Sequence, residues 1–444
     1  MRWRLADFAG ARVALIGYGR EGRAAERVLL ERAEPSELHV FAERPPEHEP
    51  RSATTVGELA VDPVRFDVVL RSPGVPPAHP GLERCRRAGL PMSTSSSIWF
   101  AERPDARVVA VTGSKGKSTT SSLLAHLVDE GGVPVELAGN IGRPLLDLLD
   151  TEADVFVVEL SSYQLVDLVG RPSLGAITRL FPEHVDWHGS IDAYYDAKLR
   201  LAGLLEGRPL WFNAGDPTLG DRLAGIAHAR PANDPGGLHA AEDGLYVGDR
   251  RLFARSDWSL PGRHNLDNLA LAVELAGSLG IDREQALTAA RGFRGLAHRL
   301  ESLGRIGGVE FVNDSISTTP HATRAALQAD PRPAVLIVGG QQRGADWDAL
   351  VDAGIRLRGL VALPDTGPDA ARAMIDAGLV DADRVRGVEG LDAGVREAAA
   401  LAEPGDRVLL SPGGPSFHRF RDFEARGEAF RTAVRTHALR RPAD

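Results

Sequence analysis

The stretch Thr112-Gly113-Ser114-Lys115-Gly116-Lys117-Ser118-Thr119 has the residue types and spacing to hold phosphate. It follows a short apolar run, residues 108–111, and leads into a helical pattern. Glycines in such a strand–turn–helix let backbone N–H groups approach phosphate oxygens, and the helix N-terminus favours anions. Lys117 would bring a cation to the terminal phosphates, and the Ser118 hydroxyl a ligand for magnesium. Only Ser114 and Lys115 separate Gly113 from Gly116, so the loop is shorter than that of ordinary kinases and GTPases. The alternative is a glycine-rich turn that holds no nucleotide.

Lysine usage sharpens this reading. Of 52 Lys+Arg, only Lys115, Lys117 and Lys198 are lysines. Arginine serves wherever a surface cation suffices; lysine persists where a compact ammonium or a deprotonatable amine is needed. Lys198, on a helical pattern over residues 194–205, is therefore a third candidate.

Other strand ends also carry chemistry. Residues 13–16 run into Gly17-Tyr18-Gly19-Arg20-Glu21-Gly22, a GxGxxG turn that serves either a dinucleotide or tight strand–helix packing. A run over 38–41 ends near Glu43 and Arg44, and one over 67–70 ends at Arg71-Ser72-Pro73-Gly74. Gly139-Asn140-Ile141-Gly142 presents an amide, and the strand 154–160 ends near Glu159, a position suited to magnesium. The loop Glu183-His184-Val185-Asp186-Trp187-His188 reads as a metal or phosphate site or as a plain polar loop. Asn265 reads either as the cap of a long helix or as a nucleotide contact, with Asn268 near its first turn, and residues 231–248 read as irregular. Later strands at 309–312, 334–338, 359–363 and 407–410 end in polar loops at 313–320, 339–346 and 411–417.

These strands and helices alternate as in parallel α/β domains, and 444 residues suit two or three of them. A net charge of −9 gives no support to nucleic-acid or anionic-membrane binding. No apolar run approaches membrane-spanning length, and the start lacks a signal-peptide core. A single cysteine, Cys85, excludes an internal disulfide framework and fits a reducing cytoplasm.

Taken in order, TGSKGKSTT, GNIG, VVELSSYQL, EHVDWH, AKLR, GRHNLDN, AHRLE, VNDSIST and LSPGGPSF resemble the Mur ligases, the ATP-dependent amino-acid-adding enzymes of peptidoglycan synthesis. The resemblance spans nearly the whole chain and is nearest to members that add glutamate to UDP-N-acetylmuramoyl-L-alanine. It implies three α/β domains: a Rossmann-like UDP-binding domain (1–104), a central P-loop ATPase domain with a mainly parallel sheet (105–298) and a Rossmann-like glutamate-binding domain (299–444). Hinges are expected near 101–107 and 293–299. A cytoplasmic monomer is expected. Folylpolyglutamate synthases share the ATPase core and are one alternative; a nucleotide-binding switch protein that forms no bond is the other.

The resemblance also implies roles. Gly113, Ser114, Lys115, Gly116, Lys117, Ser118 and Thr119 would hold ATP, with Asn265, Asn268, His298, Arg299 and Asp314 around the nucleotide. Ser118 and Glu159 would bind one Mg2+, and His184 with a carbamylated Lys198 a second. Lys117, Lys198 and His184 would be catalytic. Gly17, Tyr18, Gly19, Arg44, Ser72 and Asn140 would bind the UDP substrate, and Thr318, Arg343, Ser416 and Phe423 the glutamate. Two departures from the usual D-glutamate pattern stand out: Ile316 replaces a lysine and Arg343 another. Ala42-Glu43-Arg44 also replaces an Asp-Thr-Arg turn at the uridine site. GYGREGRAA with NDSISTTP is closer to a subgroup that adds L-glutamate.

Overall fold

The apolar runs become strands buried on both faces, as parallel sheets flanked by helices require. The computed structural model describes residues 3–46, 48–260, 262–341, 347–352, 354–416 and 419–440. Contacts divide the chain into two compact units, Met1–Phe293 and Arg294–Asp444.

The first sheet of the first unit holds β1 (Arg12–Ile16), β2 (Glu37–Ala42), β3 (Ala53–Val56), β4 (Val68–Arg71) and β5 (Met92–Ser93). All pair in parallel, in the order β3-β2-β1-β4-β5. The order reverses beside β1, where ligands of open α/β sheets collect, and the GxGxxG turn leaves β1 there. The second sheet holds β6 (Val108–Thr112), β7 (Val135–Gly139), β8 (Val155–Glu159), β9 (Leu174–Ile177), β10 (Leu210–Asn213) and β11 (Ala229–Ala232). It is also parallel, in the order β11-β10-β9-β6-β8-β7. Because β6 lies between β8 and β9, the phosphate loop after β6 and Glu159 at the end of β8 emerge side by side.

The two sheets share an interior. Trp99 and Phe100, from the helix Ser95–Glu102, join Val13 and Leu15 of β1 to Val108 and Ala110 of β6 and Phe156 of β8 in one apolar cluster. Arg103 then donates from Nη1 to the carbonyls of Leu149 (2.7 Å) and Thr151 (3.1 Å). The two sheets fall within one compact unit. The division between the units falls just upstream of the expected boundary after His298.

Two local expectations are corrected. The stretch 231–248, expected to be irregular, includes the end of β11 and contributes β12 (Leu238–Ala241) and β13 (Gly244–Val247), which continue into β14 (Arg250–Ala254) as a small antiparallel sheet. These strands are short and broken by glycines. Leu238, Ala240, Leu245 and Phe253 become strand residues by packing on Leu266, Leu269 and Ala270, not by run length. Asn265 is not a cap. The helix Arg263–Ser278 starts after Gly262, which has φ +89°, and Asn265 lies inside the first helical turn. It shares a face with Asn268, whose Nδ2 donates to Asn265 Oδ1 at 3.4 Å.

The second unit is built on β15 (Glu301–Ile306), β16 (Val309–Asn313), β17 (Ala334–Val338), β18 (Gly359–Ala362), β19 (Val385–Gly387) and β20 (Arg407–Leu410). The order is β15-β16-β20-β17-β18-β19, with β15 alone antiparallel. Among the described residues no helix is long and apolar enough to cross a membrane.

Candidate active site

The phosphate loop is shaped by what surrounds it. Gly113 has φ +143°, and a Cβ there would collide with Thr178 Oγ1. Gly116 has φ +90°, and its Cβ would lie 2.6 Å from Asn268 Oδ1. Both positions therefore need glycine. The Ser114 N–H donates to Arg179 O at 2.5 Å, and its Oγ donates to Phe181 O at 2.9 Å. Thr178 Oγ1 donates to Lys115 O at 2.6 Å, and Tyr194 O–H to Ser114 Oγ at 2.9 Å. The helix Lys117–Glu130 begins directly after Gly116 and turns its first N–H groups toward the loop. Lys117 Nζ donates to Ser114 O at 2.9 Å, Ser118 is buried, and Lys115 pairs with Glu183 at 2.5 Å.

Around this loop the other candidates converge. Lys198, 2% exposed on the helix Ile191–Leu204, donates to Gly113 O at 2.7 Å and lies 4.6 Å from the Tyr194 ring centre. Burial, followed by Lys117, pushes its amine well below the usual lysine range against the pull of Glu183 and Glu159. Glu159 is fully buried; its Oε1 accepts from Asn140 Nδ2 at 2.6 Å and its Oε2 has no partner among the described residues. His184 has the left-handed backbone φ 54°, ψ 32°, uncommon outside glycine though histidine is among the residues that adopt it more often. Its ring packs against Tyr163 and Tyr194, and burial lowers its pKa, with Lys198, Lys117 and Lys115 adding to the effect and Glu183 opposing it. His188 bonds to Ser162 Oγ at 3.0 Å and is pushed down to about 4 by burial, then by Lys198 and His184.

Beside this centre lies a cleft of about 590 Å3 lined by Gly17, Tyr18, Gly19, Arg44, Ser72 and Asn140. These are the six residues expected at the UDP substrate. Gly17 is held against Ser72, whose Oγ donates to Gly17 O at 2.6 Å. The turn after β4 is fixed by Arg71, 1% exposed, which pairs with Asp167 at 2.6 Å and donates to Val75 O and Tyr163 O.

The second unit has its own centre at the ends of β16, β17 and β20. Asp314 accepts from Ser317 Oγ (2.5 Å), Ser411 Oγ (2.8 Å) and the Leu300 N–H (3.1 Å); burial raises its pKa in spite of these bonds and of Arg299. His298, at φ 62°, bonds to Asn313 Nδ2 at 3.0 Å, and its ring meets the Phe423 ring edge-on. Ser416 lines a cleft of about 330 Å3 with Gly340, Gln341, Arg419 and Arg426. Thr318 is half-buried after Ser317. Arg343 lies outside the described residues.

Residues 111–276 match the Mur ligase middle domain, and 298–414 the Mur ligase glutamate ligase domain. The chain is 42% identical to the UDP-N-acetylmuramoyl-L-alanine--L-glutamate ligase of a Micromonospora strain, over 98% of this chain and 99% of that one. It belongs to the Mur ligase family. The enzymes of the same name from Salinispora tropica (40% identical, 98% of this chain, 100% of the relative) and Xanthomonas axonopodis pv. citri (38%, 96% and 96%) are similar over the same span. This Mur ligase also shares its fold with the UDP-N-acetylmuramate-alanine ligase of Thermotoga maritima, at TM-score 0.58 and 17% identity over 96% of this chain and 100% of that one. A MurF ligase from the same organism, in complex with ADP, gives TM-score 0.54 at 15% identity, over 98% and 97%.

Four residues packed beside one or other of these two centres escape sequence reasoning: Arg20, Glu21, Arg71 and Arg426. Glu21 receives Gln164 Nε2 at 2.6 Å, and burial raises its pKa. Arg426, 2% exposed, donates to Ser315 Oγ (3.0 Å), Gly414 O (2.9 Å) and Ser315 O (2.7 Å), all of them neutral. Burial lowers its pKa to about 10. A buried guanidinium without a carboxylate is costly and suits an anionic ligand.

The centre also fits magnesium. Among the described residues, no three His, Cys, Asp or Glu side chains gather as a metal cage. Magnesium does not need one, since it is commonly held by one or two carboxylates plus substrate phosphates. The unpartnered Glu159 Oε2 and the Ser118 hydroxyl supply that kind of oxygen set.

Proposed function

We propose that this Mur ligase joins L-glutamate to the carboxyl group of UDP-N-acetylmuramoyl-L-alanine at the expense of ATP. The protein is an ATP-dependent acid–amino-acid ligase. The observation that carries the substrate reading is the double role of Asn140: it lines the GxGxxG cleft and bonds Glu159 beside the phosphate loop. A nucleotide-sugar acceptor in that cleft would end next to the phosphate to be transferred. The names of the relatives supply the glutamate and its L configuration.

The acceptor carboxylate takes the terminal phosphoryl group of ATP, giving an acyl phosphate and ADP. The glutamate amine then attacks the acyl carbon, and the tetrahedral adduct collapses to amide and phosphate. Such transfers depend on positioning and electrostatics. Loop N–H groups and Lys117 hold the phosphates, with Asn265 and Asn268 on the nucleoside. Ser118 and Glu159 would hold one Mg2+, and His184 with carbamylated Lys198 a second. Bound there, magnesium would neutralise charge on the transferred group. The lowered Lys198 pKa favours the neutral amine, which would add to CO2, forming an N–C bond and releasing a proton. The carbamate is an anionic oxygen ligand that arginine cannot supply. In the second unit, Ser416, Thr318, Phe423, Arg343 and Arg426 would hold the amino acid. The proposed setting is the cytoplasm, with sedimentation the test of a monomer.

The test offers L- or D-glutamate with ATP, Mg2+ and UDP-N-acetylmuramoyl-L-alanine, then determines the chirality of glutamate in the hydrolysed product. L-glutamate product, with phosphate release only when both co-substrates are present, is expected. Transfer to a folate acceptor alone, or ATP turnover independent of any amino acid, overturns the proposal.

A further inference from the structure

Arg20 opens the helix Arg20–Arg32 directly after the GxGxxG turn, yet its guanidinium is spent on the neighbouring sheet. Nη1 donates to Gly142 O at 3.1 Å, and Nη2 to Gly139 O at 3.1 Å and Asn140 O at 2.6 Å. All three carbonyls belong to one tight turn, entered at Gly139 (φ +99°) and left at Gly142 (φ +69°). A Cβ at Gly139 would run into Glu159 O. The Asn140 N–H donates to that same carbonyl at 2.9 Å, and Asn140 Nδ2 holds Glu159 Oε1 at 2.6 Å. The other oxygen, Oε2, is buried without a partner among the described residues.

We infer that Arg20 is a positioning residue for the metal-binding carboxylate: it fixes the Gly139–Gly142 turn, the turn aims Asn140, and Asn140 holds one oxygen of Glu159 so that the other would be available to a cation. The inference rests on the reading of Glu159 as a magnesium ligand. Groups that orient a metal ligand are commonly worth about 10–100-fold in metal affinity. A planar fork meeting three carbonyls at once is a task for arginine, and a lysine point charge does not reproduce it.

The experiment is calorimetric titration of the full-length protein with the non-hydrolysable nucleotide AMP-PCP, with and without Mg2+. The readout is the gain in nucleotide affinity that the metal brings. Wild type shows a gain, and Glu159→Gln abolishes it. Arg20→Ala is expected to cut the gain about tenfold while leaving the metal-free affinity and the melting temperature near wild type. Arg20→Gln, which keeps one amide donor, should fall between, and it serves as the second variant if the alanine protein folds poorly. A full gain in both Arg20 variants, with Glu159→Gln still defective, overturns this inference and leaves the proposed function standing. A full gain in Glu159→Gln overturns the inference together with the assignment of Glu159. Loss of metal-free affinity in step with the gain also overturns it, because a general distortion of the loop would then be the cause.

Discussion

Lys198 Nζ donates to the carbonyl of Gly113, the first glycine of the phosphate loop, at 2.7 Å. That bond holds a nearly inaccessible amine beside Lys117, and burial with that second cation lowers its pKa. Lys198→Ala is expected to lose ligase activity and to regain part of it with short-chain carboxylic acids, which can replace a carbamate oxygen. Lys198→Arg should stay inactive, because a guanidinium cannot be carbamylated. Wild-type turnover should fall in CO2-depleted buffer and recover with bicarbonate. Full turnover in Lys198→Ala would end the carbamate role.

Gly116→Ala tests the loop by sterics alone. Its φ of +90° strains an alanine, and the new methyl would meet the Asn268 amide at 2.6 Å. A cost of about 1–3 kcal/mol in stability is expected from such a backbone, with a rise in KM for ATP because Asn268 must move. The measurements are thermal melting and initial rates at varied ATP; an unchanged KM would show that Asn268 does not touch the nucleotide.

The His188 ring titrates near 4 in the folded protein because it is buried, with Lys198 and His184 adding repulsion. Unfolding returns it to the ordinary histidine value near 6.5. Between those values the unfolded chain binds more protons, so stability rises with pH and is lost as pH falls from about 6.5 towards 4. Replacing the ring by His188→Gln should flatten the melting temperature against pH in that window. An unaltered slope would mean that other groups carry the acid sensitivity.

Much of the site was legible in the sequence because its chemistry stands on short loops at the ends of apolar strands. The glycine turn and Lys117 follow β6, Glu159 ends β8, and all three scarce lysines gather around one loop. Arginine carried no comparable signal. Arg20, Arg71 and Arg426 are lost among so many others, and only burial and named acceptors single them out. Asn265 was misplaced because helix-cap propensity ignores the positive φ that only Gly262 could supply. The small sheet β12–β14 was hidden because its strands exist by packing on one helix face. The common core of the first two sheets was equally out of reach, since Trp99 and Phe156 meet only once the chain has folded.

Arg426 should govern glutamate rather than nucleotide. Its guanidinium is buried at a cleft with Ser416 and, among the described residues, bonds only neutral oxygens. Hydrogen bonds to a charged group are worth about 1.5–3 kcal/mol, so Arg426→Gln should raise KM for glutamate roughly ten- to a hundredfold. The KM values for ATP and for the UDP acceptor should remain near wild type. A parallel rise in all three would assign Arg426 to holding the Ser315 and Gly414 loops in place.

The choice of glutamate enantiomer is expected to turn on the segment after β16. Ile316 stands where the D-glutamate pattern has a lysine, and its N–H is held by His298 O at 3.1 Å. The backbone is therefore fixed, and a substitution there changes charge more than shape. A lysine at this half-buried site would add a cation between Asp314 and Thr318, drawing a substrate carboxylate to a new position. Ile316→Lys should lower kcat/KM for L-glutamate and raise the ratio of D- to L-glutamate incorporated, read by chiral chromatography of the hydrolysed product. If the ratio stays fixed while activity falls, the segment supports the fold of the pocket and the enantiomer is selected elsewhere. The neutral residue Ile316→Gln separates the two effects, since it matches lysine in polarity but brings no charge and should leave the ratio unmoved.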